Sequence, residues 1–214
     1  FLKQTYQAHA GIVDKVLTDQ AEKAKEALYT SAKISYGKYH STDIPRKGVQ
    51  VLVEQTLTTT GYLAQALLAG DHFPPDLSIM RQYGAKIIIY ASQLELKFEK
   101  LHYPIFKVIF EKNFAAKYSK DLLLKATRWY ILLYELSRQL HKFEGARERL
   151  KQLYPIIDEA NGFASGIQHS KHLVVKGLIS QDELEAVMII HLVWIFTEWL
   201  TFQKNKGIEN YVLG

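Results

Sequence analysis

Cysteine is absent from all 214 residues. That removes disulfides, thiolate nucleophiles and cysteine-based zinc sites from the reading. Proline (five) and glycine (twelve) are sparse, which leaves room for long uninterrupted elements. Long basic runs are missing too: no three Lys or Arg residues are consecutive. The net charge of +5 is spread along the chain. Its densest basic stretch, Arg147, Arg149 and Lys151, has Glu144 and Glu148 interleaved. That is the pattern of a solvated helix face, and a nucleic-acid partner is not expected. The best apolar run, residues 186–196, is too short for a membrane span and contains His191. No leader-like segment stands at Phe1, and an opening without Met is read as numbering that begins inside a longer chain. The setting expected from these features is cytoplasmic.

What is present is average globular composition, 48% hydrophobic and 23% charged, with apolar spacing that reads as helical almost throughout. Residues 2–36 form a first, weakly apolar helix, and residues 1–38 are expected to serve as a hairpin arm or a dimer contact. The turn formers from His40 to Gly48 break the chain, and a second helix is expected over residues 49–68. Gly70, Pro74 and Pro75 stop it. A third helix over residues 77–103 carries Met80, Tyr83, Ile87, Tyr90, Leu94, Phe98 and Leu101 at alternating steps of three and four. Pro104 ends it before a short helix over residues 105–117. Ser119 caps a fifth helix reaching Phe143, a short charged helix lies between Gly145 and Pro155, and a seventh covers residues 156–176.

The sharpest local signal follows. Gly177 fits a helix stop, Ser180 and Glu183 form a capping box, and Ile179 and Leu184 stand at staple positions. The last helix runs from there to Lys204 and is apolar nearly all round, which predicts burial on most sides. The expectation is therefore an all-α fold, a single helical domain over residues 1–214 with about seven or eight helices around a central C-terminal one. Lys86 to Tyr90 and Leu173 to Val175 are the β-branched clusters, and no strand-period segment of useful length is read.

Catalytic signatures are not found. Gly-x-Gly-x-x-Gly, Gly-x-Ser-x-Gly, Gly-Lys-Ser/Thr and His-Glu-x-x-His strings are missing. Glu99 and His102 make one Glu-x-x-His pair where a di-iron bundle needs two, and they read as an exposed polar helix end. His169 and His172 share a helix face without a third ligand and read as surface histidines. His191 sits in apolar surroundings that would suit a haem ligand, although a hydrogen-bonded core role is the commoner one. No catalytic residue, metal or cofactor is assigned.

The remaining polar groups of interest are His191 and Glu198, two turns apart on one face of the last helix. A buried carboxylate there needs a partner, and Arg128 or Arg138 is expected to supply it. Aromatic residues cluster beside them: Trp194 and Trp199 on the last helix, and Trp129, Tyr130 and Tyr134 on the fifth. These seven residues are read as the lining of a ligand site. The function expected is a non-enzymatic regulatory or interaction domain that binds a small apolar molecule or a partner protein, with a homodimer through the first helix as one arrangement. The alternative is a haem- or metal-dependent helical enzyme or carrier.

Overall fold

A computed structural model describes residues 8–37, 48–61, 68–73, 77–140 and 145–204. The expected break at residues 40–47, residues 2–7 of the first helix, the Pro74–Pro75 stop and the Phe143 helix end lie outside these residues. The element order is β1 (Ala8–Val13), α1 (Lys15–Tyr36), β2 (Val49–Thr60), β3 (Gly70–Phe73), α2 (Leu77–Tyr83), β4 (Ala85–Tyr90), α3 (Ala91–Lys97), a π-helical turn (Phe98–His102), α4 (Tyr103–Ile109), α5 (Lys112–Ala115), α6 (Lys120–Leu140), α7 (Ala146–Leu150), α8 (Tyr154–Val175) and α9 (Gln181–Lys204).

The all-α expectation is overturned by a four-stranded mixed sheet in the order β1-β2-β4-β3. The second helix expected from residue 49 is β2. Val49, Val51 and Val53 alternate with Gln50 and Leu52 and are buried on one face, and β-branched side chains suit a pleated surface better than a helix. The expected third helix is divided. Gly84, at φ +85, ends α2, and a Cβ there would lie 2.2 Å from the Gly48 carbonyl oxygen. Ile87, Ile88 and Ile89 then run through the middle of the sheet, buried on both faces. The first expected helix begins instead as β1, which pairs antiparallel with β2 through a bulge at Ala10/Gly11.

Helix α1 is joined to the sheet through backbone groups. Strand β1 pairs with β2 from Glu54 onward, so the first residues of β2 face no described strand on that side. Side chains at one-turn and two-turn spacing on α1 take that place. The Val53 N–H donates to Thr18 Oγ1 at 3.0 Å, the Val51 N–H donates to Glu22 Oε1 at 3.0 Å, and Lys25 Nζ donates to the Val49 carbonyl at 2.8 Å. Asp14 caps the helix by accepting from the Leu17 N–H. On its other side β2 runs parallel to β4, with Glu54 opposite Tyr90 at the carboxyl end of the ladder.

The central helix is α6, which packs against α1, α8, α9 and the sheet. Its start matches expectation: Ser119 Oγ accepts from the Leu122 N–H at 3.1 Å. The stop after α8 also matches. The Gly177 N–H donates to Val174 and the Leu178 N–H to Leu173, the two bonds of a Schellman motif. The capping box before α9 is present in both directions, Ser180 N–H to Glu183 Oε2 at 2.6 Å and Glu183 N–H to Ser180 Oγ at 3.1 Å. Ile179 and Leu184 are buried as the staple requires.

Helix α9 is not central. Its inner face, with Ala186, Val187, Ile190, Val193 and Trp194, is buried, but Leu192, Ile195, Phe196, Trp199 and Leu200 on the other side are 46–51% exposed. Residues Gln181–Thr201 are long and apolar enough to cross a membrane by length and composition. In this fold the inner half of that surface is instead a wall of the core.

Two stability effects follow. Thr18→Val, which keeps the shape but removes the hydroxyl, should cost about 1–3 kcal/mol by leaving the Val53 N–H unpaired. Ser180→Ala should cost about 1 kcal/mol through the lost cap. Urea denaturation of each variant measures both, and an unchanged midpoint for Thr18→Val would contradict the role given to α1.

Candidate functional site

The parallel pair β2/β4 directs the main polar cluster. Ligand sites in open sheets lie beyond the carboxyl ends of parallel strands, and here Tyr90 ends β4 and Glu54, midway along β2, stands opposite it at the last parallel pair. The Glu54 carboxyl lies across β1, where Gly11 gives it room. A Cβ at position 11 would sit 2.9 Å from Glu54 Cδ. That places Glu54 Oε1 3.3 Å from His9 Nε2. The His9 ring meets the edge of the Tyr90 ring, centroids 5.2 Å apart. Asp71 of β3 completes the group, with its Oδ1 accepting from the His72 N–H at 2.8 Å.

Burial dominates the electrostatics of this cluster. Burial pushes the Tyr90 phenol far above its ordinary value, and Asp71 and Glu54 add to the effect. The Asp71 carboxyl is raised by burial and drawn back by the His72 amide, Arg138 and His9. The Tyr90 hydroxyl is buried and has no hydrogen-bond partner among the described residues. His9 and Asp71 are partly exposed, so the cluster lies just beneath the surface. Among the described residues, no three His, Asp or Glu side chains are arranged to hold a metal ion.

A second network backs the first from the α6 side of the sheet. His72 Nδ1 lies 4.0 Å from Glu135 Oε2. One turn on, Arg138 reaches Asp158 at 3.0 Å and Glu159 at 3.4 Å. Its Nη1 donates to the Tyr134 hydroxyl at 3.1 Å, and that hydroxyl donates to Glu159. Gly162 of α8 makes room for the Arg138 stem, since a Cβ there would lie 2.5 Å from Arg138 Cγ. Burial alone would lower the guanidinium's pKa, but Tyr134, Glu159, Glu135 and Asp158 raise it. Tyr154, hydrogen-bonded to Asp158, is pushed up to about 12 by burial and by that carboxylate.

The seven residues singled out in the sequence do not form one site. Tyr130, His191, Trp194 and Glu198 come together: the Tyr130 hydroxyl is 3.2 Å from His191 Nδ1, and the Tyr130 and Trp194 rings are 5.4 Å apart. Glu198 does have a partner, but it is Lys97 at 3.4 Å rather than Arg128 or Arg138. Arg128 pairs with Glu95, and Arg138 belongs to the network above. The Lys97 ammonium also sits 4.1 Å over the Trp194 ring. Trp129 turns away toward a cavity under α1, Tyr134 belongs to the Arg138 network, and Trp199 is half-exposed on the outer face of α9.

Two histidine readings are also corrected. His169 is buried, and its Nδ1 is 2.7 Å from Ser31 Oγ. His102 is fully buried on the π-helical turn, ring centroid 4.5 Å from Trp194. Neither of its ring nitrogens has a hydrogen-bond partner among the described residues. Glu54, Asp71, Tyr90 and His9 were not read as site residues from the sequence; Tyr90 was placed on the apolar stripe of the expected third helix. The available signal was Glu54, a lone charge inside a β-branched run.

No family model matches the sequence. Among curated proteins, the chain is 22% identical over 177 residues to Nudix hydrolase 3 of Arabidopsis thaliana, covering 79% of this chain and 23% of that protein. Among solved structures it is similar to DPP III from Caldithrix abyssi, at TM-score 0.75 and 17% identity over 96% of this chain and 40% of that one. It is also similar to dipeptidyl-peptidase III from Corallococcus sp. strain EGB, at TM-score 0.67 and 20% identity over 89% of this chain and 36% of that one. The chain thus spans about two-fifths of the structures it matches. The expectation of a non-enzymatic, all-helical regulatory domain is overturned here: the fold is a mixed α/β one, shared with structures named as DPP III and dipeptidyl-peptidase III.

The isolated His102 generates a pH prediction. Burial first, and the Lys97 charge second, lower its pKa from 6.5 to about 3. The unfolded chain takes up a proton near pH 6.5, and the folded chain refuses it until about pH 3. Stability therefore falls as pH drops through that window, by about 2 kcal/mol at pH 5 from this residue. His102→Leu should match the wild type or exceed it at pH 7.5 and lose less stability at pH 5. Denaturant melts at the two pH values measure this, and equal acid losses in both proteins would contradict it.

Proposed function

We propose that this chain is part of a hydrolase that acts on peptides, and that the His9–Glu54–Asp71–Tyr90 cluster holds the substrate's amino terminus. The observation that carries the reading is the pair of carboxyls, Glu54 and Asp71, beside the buried phenol oxygen of Tyr90, where the parallel pairing of β2 and β4 stops. An enzyme that releases dipeptides must measure two residues from a free α-ammonium group. Carboxylates and a hydroxyl oxygen are the acceptors an ammonium group needs.

The likeness to dipeptidyl-peptidase III supports a peptide over other hydrolase substrates. The 22% relative, also named as a hydrolase, is consistent with the broader class. Strand β1 adds a second feature. It is an outer strand of the sheet, mostly exposed, and no described strand pairs with its far side. Such an edge accepts an extended peptide through main-chain hydrogen bonds. In this reading the chain supplies binding and register, and the bond-breaking groups are not assigned to any described residue.

Calorimetric titration with tetra-alanine tests the proposal. The free-amine peptide should bind, and N-acetylation should weaken binding at least about tenfold, or 1.4 kcal/mol. Glu54→Gln should weaken the free-amine peptide and leave the acetylated one unchanged. Equal affinity for the two peptides in the wild type would overturn the reading.

A further inference from the structure

Two carboxylates of α8 and one of α6 surround a single buried cation. Arg138 of α6 reaches Asp158 at 3.0 Å and Glu159 at 3.4 Å. Its Nη1 donates to the Tyr134 hydroxyl at 3.1 Å, and the charge of Glu135 acts on it as well. Gly162 leaves space for its stem, because a Cβ there would lie 2.5 Å from Arg138 Cγ. Without the guanidinium these acids would face one another with no cation between them, an arrangement that proteins otherwise neutralise with a metal ion.

The spacing of these residues is that of a metal helix. In a His-Glu-x-x-His segment of a zinc peptidase, the first and fifth positions lie a turn apart on one helix face and ligate the metal. The second position supplies a general base, and a carboxylate from elsewhere in the chain can be the third ligand. Here residues 134–138 read Tyr-Glu-Leu-Ser-Arg. Tyr134 and Arg138 hold the two ligand positions and Glu135 that of the base. Glu159, from the neighbouring helix, meets both Tyr134 and Arg138. The parallel rests on the reading of this chain as part of a peptide hydrolase. The residues present do not fit a metal. A guanidinium offers donors only and stays protonated, and burial holds the Tyr134 phenol well above its ordinary pKa, so it is a neutral, weak ligand.

We propose that Arg138 is a built-in replacement for a metal ion: its guanidinium stands at the metal's place in a ligand set whose two histidine positions carry Tyr134 and Arg138 and whose acid is Glu159. A tethered guanidinium neutralises the carboxylates at any metal concentration, and no chelator removes it. It offers neither the open coordination position nor the Lewis acidity of a dication. The described residues then hold and register a peptide without a metal at this point of the fold.

Zinc titration of the full chain by calorimetry, with metal analysis after gel filtration, tests this. The wild type and Arg138→Met should retain no zinc. The double variant Tyr134→His/Arg138→His should retain one zinc ion per chain, and cobalt(II) in its place should show the visible absorption of a four- or five-coordinate ion. In that background Glu159→Gln should weaken zinc binding at least about tenfold, whereas Glu135→Gln, at the base position, should change it less than about threefold. Arg138→His alone keeps the Tyr134–Glu159 hydrogen bond and so guards against misfolding of the double variant. It should bind zinc at least about tenfold more weakly than the double variant. Stoichiometric zinc in the wild type, no zinc in either histidine variant, or binding indifferent to Glu159→Gln would each overturn the proposal. None of these measurements involves tetra-alanine or Glu54, so this proposal and the peptide-holding one fail separately.

Discussion

The rest of the structure depends on how α1 completes β2. A buried strand with unpaired N–H and C=O groups is costly. Thr18, Glu22 and Lys25 relieve that cost with side-chain atoms where a neighbouring strand would otherwise supply backbone ones. Lys25 is itself buried, paired with Glu22 and bonded to the Val49 carbonyl. Because the helix takes the near end of β2, β1 pairs only with the far end, and the bulge at Ala10/Gly11 lies where Glu54 crosses. The same contact encloses the cavity between α1, the sheet and α6. Secondary structure, candidate peptide site and cavity thus share one origin.

Helix α6 distributes the aromatic residues among these regions. Consecutive positions on a helix point about 100° apart, so Trp129 and Tyr130 cannot serve one pocket. Trp129 faces the cavity, whereas Tyr130 and Tyr134, one turn apart, stack on Phe163 of α8 with centroids at 6.0 and 4.4 Å. Tyr130 then touches His191 and Trp194 of α9, and Tyr134 enters the Arg138 network. One helix therefore links the Lys97–Glu198 pair at one end with the carboxylates behind the sheet at the other.

The polar clusters differ in how fully they are paired. Around Arg138, two carboxylates and a phenol engage both terminal nitrogens of one guanidinium, which makes that network a support. Around Tyr90, two carboxyls and a histidine surround a hydroxyl with no hydrogen-bond partner among the described residues, the feature on which the proposed ammonium-holding role rests. His102 is a third case. Its neutral ring, packed on Trp194 beside Lys97, already buries unpaired nitrogens at neutral pH and becomes a larger liability in acid.

Signals carried by neighbouring residues were legible in the sequence. The Ser119 cap, the Gly177 stop and the Ser180–Glu183 box involve partners within five residues, and all are where the pattern put them. The apolar character of α9 was legible as well, but not which of its faces would be covered. Strands were not legible in the same way. In residues 77–103 the three-and-four spacing that suggests a helix is equally met by a helix, a glycine turn and a strand in succession, and burial of Ile87 to Ile89 on both faces erases the alternation that marks a half-exposed strand. Which carboxyl meets which cation was a tertiary decision. Glu198 finds Lys97 from 101 positions away, and Glu54 finds His9 only because a bulge and a side-chain-free glycine bring the strands into that register. Local hydrogen bonds depend on spacing along the chain, which the sequence displays. Long-range pairs depend on the packing of elements, and only the folded chain decides that.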